Sequence, residues 1–338
     1  MRILVTGYGV DTADSPLRAQ VVDPLRFLGH EVVAVAPTEV AVRWGLRRYS
    51  PEILVVIPSA GVPDRDKIRA LTTEAETVAL CLHTGPSLIG ASTDLSELAD
   101  DIREYDLIAV PDRHTFEEFA SLGTFRLSLM EPAVHPPTVL DAVPSDRAGF
   151  MIVGDADPEH IDVVMGLDHL DDLVVMGRGW SELPLDVLAF EPLPLPDRAT
   201  LYAGAAFVVE LPPSLAHQSA VVRSPYELGL SPVAYEAAVV GTPAVVQERP
   251  AVAEAFCPGT EVVTYESVGD LSQLLPMLLA DDTELVTIGE AAWSRVTADH
   301  TWSRRWRSLL EPWVIEPEIG RDEDVSYVGQ SNVLTRAS

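Results

Sequence analysis

The residues able to do chemistry cluster where short apolar runs end. The first such run, Arg2–Thr6, leads into Gly7-Tyr8-Gly9-Val10-Asp11. Glycines at Gly7 and Gly9 either let a backbone approach a ligand closely or simply make a tight turn. A dinucleotide fingerprint would need a third glycine, and the loop lacks it. Asp11 is the weaker of two candidate catalytic bases. The stronger is His83, in Leu82-His83-Thr84-Gly85. An imidazole at the carboxyl end of a strand faces a cleft, where it can take a proton or bind a hydroxyl. A hydrogen-bonded structural histidine is the plainer alternative, and His135, among prolines, reads that way.

The second half carries more. Met176-Gly177-Arg178-Gly179-Trp180 follows an apolar run, so Arg178 and Gly179 stand at another carboxyl end. Further on, Arg223 precedes Ser231-Pro232-Val233-Ala234-Tyr235-Glu236-Ala237-Ala238-Val239-Val240-Gly241-Thr242-Pro243. Helical spacing, a serine cap and a closing Gly241 make this a helix with Glu236 among small residues. A carboxylate there can accept two hydrogen bonds from a ribose diol. The helix start at Ser231 and the charge of Arg223 suit a diphosphate. On pattern alone, Glu236 is an ordinary surface glutamate. No metal-ligand spacing occurs; Asp155-x-Asp157 lies outside a suitable loop.

These residues need elements to hold them. Apolar runs at Arg2–Thr6, 31–36, 53–57, 77–82, Leu107–Val110 and 126–129 alternate with amphipathic stretches such as 19–28 and 116–122. A second series runs through 149–153, Leu173–Met176, 206–209, 242–246 and 261–264. Strands separated by helices predict right-handed βαβ units around parallel sheets. The stiff segment 131–144, with Pro132, Pro136, Pro137 and Pro144, suits a linker. The expected fold class is therefore α/β: two Rossmann-like domains facing each other across a cleft, over 1–140 and 141–320. The last helix of the second is expected to pack back on the first, followed by a flexible tail over 321–338.

Composition bounds the partners. The chain has 338 residues, is 47% hydrophobic, and carries a formal charge of -29 from 52 acidic against 23 basic residues. Lys67 is the only lysine. An acidic, lysine-poor surface fits an intracellular protein adapted to high salt, and it opposes non-specific nucleic-acid binding. Mean hydropathy is +0.15, yet no apolar run is long enough to cross a bilayer and no cationic leader opens the chain. A cytoplasmic location is expected, with the inner membrane face as a peripheral alternative. Cys81 and Cys257, both in apolar contexts, read as reduced core thiols.

Residues 205–310 resemble the nucleotide-binding domain of GT-B glycosyltransferases (glycosyl transferases group 1), most of all the CgeB-like group. Four pieces carry the likeness: Gly177-Arg178-Gly179-Trp180, Tyr235 through Pro243, Phe256-Cys257-Pro258-Gly259-Thr260-Glu261, and His300-Thr301-Trp302-Ser303-Arg304-Arg305. The resemblance implies a nucleotide diphosphate sugar as substrate, no cofactor, and sugar transfer without a metal. The acceptor would be a carbohydrate, a lipid-linked molecule or a protein. Glu236 would bind the donor ribose. A nucleotide-sugar epimerase or a non-catalytic nucleotide-sugar-binding protein on the same fold are the alternatives. The sequence also departs from the family. Glu227 and Glu236 stand one residue further apart than the paired glutamates of retaining relatives. Val153-Gly154-Asp155-Ala156-Asp157 carries none of the cations usual there, and Pro232 or Val233 replaces the usual arginine. Arg178 and Arg223 are left as substitutes on the diphosphate.

Overall fold

The computed structural model describes residues 1–12, 15–82, 104–122, 126–136, 147–167, 172–211, 229–280 and 282–313. The first sheet holds β1 (Arg2–Thr6), β2 (Glu31–Val35), β3 (Ile53–Val56), β4 (Val78–Leu82), β5 (Leu107–Val110) and β6 (Leu127–Leu129). Its order is β2-β1-β3-β4-β5-β6, and every pairing is parallel. Strands of an all-parallel sheet are covered on both faces, which is why β3 reads Ile-Leu-Val-Val and every residue of it is buried.

Helices α1 (Asp23–Phe27), α2 (Glu39–Tyr49), α3 (Arg65–Ala75) and α4 (Arg113–Leu122) belong to this half. The Thr38 hydroxyl accepts from the Ala41 amide at 3.2 Å to start α2, and Asp64 accepts from the Lys67 amide at 3.0 Å to start α3. Between Arg2–Thr6 and Glu31–Val35 the expected single helix is a five-residue π-helix, Arg18–Val22, running into α1.

The second sheet holds β7 (Phe150–Val153), β8 (Leu173–Met176), β9 (Leu188–Phe190), β10 (Phe207–Glu210), β11 (Ala244–Gln247) and β12 (Val263–Tyr265), in the order β12-β11-β10-β7-β8-β9. Again all pairings are parallel. Strand β9 was not legible in sequence: three residues between prolines and acids make a short edge strand with no alternation to read. Helices α5 (Pro158–Met165), α6 (Leu195–Gly204), α7 (Pro232–Val239), α8 (Pro250–Ala255), α9 (Val268–Ala280) and α10 (Asp282–Asp299) cover it. The last helix, α11 (Trp302–Leu310), instead puts Trp306, Leu309 and Leu310 into the core of the first sheet beside Val21, Leu25 and Ile57.

The proline-rich segment is partly a core element. Val134 is 1% exposed and pairs with Thr301 in an isolated bridge, its amide donating to the His300 carbonyl at 3.1 Å. The boundary expected near residue 140 and the tail over 321–338 lie outside the described residues. Cys81 is buried as expected, and burial pushes its thiol up to about 12. Cys257 is a correction. It is exposed, because Cys257-Pro258-Gly259 forms a surface turn after α8.

Candidate functional site

Parallel α/β sheets bind ligands beyond the carboxyl ends of their strands, where the strand order reverses. In the second sheet that point lies between β7 and β10. The chain after β7 is Gly154-Asp155, and β10 ends in Glu210. Gly154 and Gly177 pack backbone to backbone: a Cβ on Gly177 would come within 2.0 Å of the Gly154 carbonyl oxygen. Trp180, 1% exposed, donates its indole N–H to that same oxygen at 2.7 Å. Gly179 has φ +88, a left-handed turn that a glycine adopts freely. The Gly-Arg-Gly-Trp piece thus clamps two strand ends together.

Arg178, between those glycines, leaves its guanidinium in solvent, with 77% of the side chain exposed. Asp155 accepts from its backbone amide at 2.9 Å and from its Nε at 3.0 Å. Asp155 is held below the usual carboxylate range by those hydrogen bonds and the arginine charge, against the opposing effect of burial. The arginine is therefore at a strand's carboxyl end, oriented by a carboxylate and open outward.

Two buried carboxylates stand deeper. Glu210, 2% exposed, receives Arg249 Nη2 on Oε1 at 2.8 Å and on Oε2 at 3.1 Å. Arg249 also donates Nε to the Gly229 carbonyl at 2.9 Å, and the Tyr265 hydroxyl donates to the Glu210 carbonyl at 2.9 Å. Glu236, on α7, is 5% exposed and receives the fork of Arg198 from α6, with Nε to Oε2 at 2.6 Å. The surface-glutamate reading of Glu236 is overturned. The α6 helix and the sheet cover that face of α7, and six consecutive residues from Ala234 to Val239 are buried.

A cavity of about 320 Å³ opens between the two halves. Pro111, Asp112 and Arg113, just after β5, form one wall, and Tyr235, Arg249 and Glu254 form the other. Asp112 is 6% exposed and accepts from the Thr115 amide and hydroxyl, each at 2.8 Å. Arg113 and Glu254 meet across the opening at 3.5 Å. The cavity wall carries four carboxylates, Asp112, Glu117, Glu131 and Glu254, and two arginines, Arg113 and Arg249, among prolines and apolar side chains.

The expected residues fall in separate places. Gly7, Gly9 and Asp11 lie after β1, where the order of the first sheet reverses between β1 and β3. A Cβ on Gly7 would meet Ile57 Cβ at 2.8 Å, and Gly9 has φ +74, so both glycines satisfy backbone geometry there. Asp11 is exposed. Ser231 caps α7, its hydroxyl accepting from the Val233 amide at 3.3 Å. His83 and Arg223 lie outside the described residues. His135, 4% exposed, stacks edge-on against Phe27. Glu210, Arg249 and Arg198 were not singled out in sequence. An acid closing the apolar run Phe-Val-Val-Glu was a usable signal for Glu210. Arg198 gave none, since its partner stands 38 residues away.

Residues 160–311 match the family model described as Glycosyl transferase-like. Solved structures share the fold across most of both chains. Sucrose-phosphate synthase from Thermosynechococcus elongatus is 13% identical with a TM-score of 0.63, covering 93% of this chain and 98% of that one. HepE from Anabaena, solved with UDP and glucose, is 11% identical with a TM-score of 0.61, covering 93% and 99%. A glycosyltransferase from Rickettsia africae is 12% identical with a TM-score of 0.65, covering 92% and 97%. No protein of curated function matches the chain in sequence. The architecture is GT-B: two parallel six-stranded sheets with their helices, in one chain. Within it, residues 160–311 are similar to a glycosyl transferase-like domain, and the fold is that of solved GT-B glycosyltransferases.

Proposed function

We propose that the chain transfers a sugar from a nucleotide diphosphate sugar to an acceptor without a metal, using the half around the second sheet for the donor. The observation that carries this reading is Glu236, a buried, ionic carboxylate on α7 inside the matched segment. An ordinary surface glutamate has no reason to be buried on an arginine fork. HepE, of the same fold, is solved with UDP-glucose, which supports a nucleotide-sugar donor here. The CgeB-like subtype is part of the same proposal. Metal independence rests on arginines and helix starts stabilising the leaving diphosphate. Among the described residues no three His, Cys, Asp or Glu side chains converge to hold an ion.

The cavity between the halves is the proposed place for the acceptor; His83 and Asp11 stay the candidate bases, although Asp11 does not line that cavity, and Gly7, Gly9, Arg178, Gly179, Arg223, Ser231 and Glu236 stay the donor set. Among the described residues no helix is long and apolar enough to cross a membrane. A cytoplasmic enzyme reaching carbohydrate, lipid-linked or protein acceptors fits that.

The test is a panel of nucleotide diphosphate sugars scored by thermal shift in molar salt, followed by donor hydrolysis. A donor at a hundredfold its dissociation constant raises stability by about 2.7 kcal/mol. Shift with turnover is the expected result. Shift without turnover under any acceptor tried returns the chain to a binding protein, and no shift with any donor overturns the proposal.

A further inference from the structure

The cavity between the halves holds one polar group that no described part of the protein satisfies. Tyr235 lines it and is only 2% exposed. Its ring packs against Phe256 and His300, with centroids 5.4 Å and 5.3 Å away. Neither of those rings lines the cavity, whereas Glu131 and Arg249, whose charges act on the Tyr235 hydroxyl, both do. The hydroxyl end is therefore the part of Tyr235 that reaches the cavity. Among the described residues nothing hydrogen-bonds it. Burial first, then the Glu131 charge, pushes this hydroxyl up, so it keeps its proton and can donate.

The charges of the wall point the same way. Both of its arginines are committed. Arg249, with 10% of its side chain exposed, is held by the Glu210 carboxylate and by the Gly229 and Gln247 carbonyls. Arg113 meets Glu254 at the opening, and Arg305, behind the wall, lies 3.4 Å from Glu131. Asp112 is turned to Thr115. Glu117 has no ion pair or hydrogen bond among the described residues. The lining thus carries two more carboxylates than arginines, and no uncommitted arginine. A phosphate or carboxylate entering here meets repulsion, and a protonated amine meets opposite charge. At about 320 Å³ the cavity stands at the small end of ligand sites, roughly 300–1,000 Å³, which suits one sugar unit.

We infer that the acceptor presents an amine-bearing sugar to this cavity, the Tyr235 hydroxyl donating to a sugar oxygen while Glu117 and Glu131 hold the ammonium. This rests on the reading of the cavity as the acceptor's place. It goes further in excluding a phosphate or carboxylate from the group that enters.

The experiment titrates the full chain with glucosamine, N-acetylglucosamine, glucose and glucose 6-phosphate, followed by saturation-transfer NMR on the sugar. Molar salt screens exposed charges within about 3 Å, which removes the attraction of any cation to a surface of -29. Parent, Tyr235→Phe, Glu117→Gln and Glu131→Gln are compared, with melting recorded for each. Glucosamine is expected to bind roughly ten- to a hundredfold more tightly than either neutral sugar, the worth of hydrogen bonds to a charged group, and glucose 6-phosphate least tightly. One or both of Glu117→Gln and Glu131→Gln should shrink that preference. Tyr235→Phe should weaken glucosamine and the neutral sugars alike by about two- to tenfold. Its melting should match the parent, since the lost hydroxyl bonds nothing in the protein. Equal binding of glucosamine and the neutral sugars, or tightest binding of glucose 6-phosphate, overturns the amine assignment. If Tyr235→Phe still weakens binding in that case, the cavity remains the acceptor's place. A preference that survives both glutamate variants puts the amine outside the cavity and also overturns the assignment. If no sugar binds, or no variant changes any affinity, the acceptor reading of the cavity fails and the amine assignment fails with it.

Discussion

The indole of Trp306 donates its N–H to the carbonyl of Gln20 at 2.7 Å, joining positions 286 residues apart. Trp306 is fully buried in the core of the first sheet, although the helix that carries it follows the whole second half. The chain thus crosses between halves at Val134 and again at Thr301, side by side.

Replacing Trp306 by Ala removes this anchor. Deleting a buried tryptophan of this kind costs about 3–5 kcal/mol, and here it also removes the indole donor from the Gln20 carbonyl. Urea denaturation should show the loss. A change within about 0.5 kcal/mol, the range of surface substitutions, would mean the helix is not part of the first core.

The acidic surface predicts a salt requirement. With a formal charge of -29, self-repulsion is unscreened at low ionic strength and screened within a few ångströms near 1 M. Melting followed by circular dichroism should move steadily upward with added salt. A flat profile would contradict adaptation to high salt.

The Glu210–Arg249 pair should behave as a buried unit. Removing either partner leaves an uncompensated buried charge, a loss of about 3–5 kcal/mol. The side chains are 3% and 10% exposed, so solvent offers little relief. Arg249→Met alone should be strongly destabilising, and Glu210→Leu combined with Arg249→Met should recover most of the loss. Additive losses in that double-mutant cycle would show that the two charges do not depend on each other.

Arg178 should separate stability from activity. Its pair with Asp155 is exposed, and such pairs contribute about 0–1 kcal/mol, so Arg178→Ala should melt close to the parent. If it stabilises the departing diphosphate, turnover falls by roughly 10²–10³. Parental turnover in both Arg178→Ala and Arg223→Ala would remove both from the donor site.

His300 sets part of the acid response. Arg305 donates to its Nδ1 at 2.9 Å and its Nε2 faces the Ala255 carbonyl at 2.9 Å, so the ring is neutral with the proton on Nε2. Burial first, then Arg305, lowers it from 6.5 to about 4. A depressed folded value means the unfolded chain binds the proton first. The contribution is therefore complete above the unfolded value near 6.5 and is lost as pH falls toward 4. Denaturant titrations across that interval should give a shallower slope for His300→Gln than for the parent. Equal slopes would assign the acid sensitivity elsewhere.

Much of the architecture was legible before any coordinates. Apolar runs such as Ile53–Val56, buried on both faces, have no other use than a parallel sheet, and their alternation with helical spacing fixed the α/β class. The helix start at Ser231 was readable too, and its hydroxyl caps α7. Glu236 was legible as a position, through its helix and the Gly-Thr-Pro that follows. Its environment was not. Burial of Glu236 and its fork with Arg198, like the pairing of Glu210 with Arg249, join residues 38 and 39 positions apart. Periodicity records which face of an element turns inward and says nothing about which charge another element brings to meet it. Sheet order made those meetings, by placing β11 beside β10 and α6 against α7. Only the folded chain could turn an apparent surface glutamate into a buried, oriented anion.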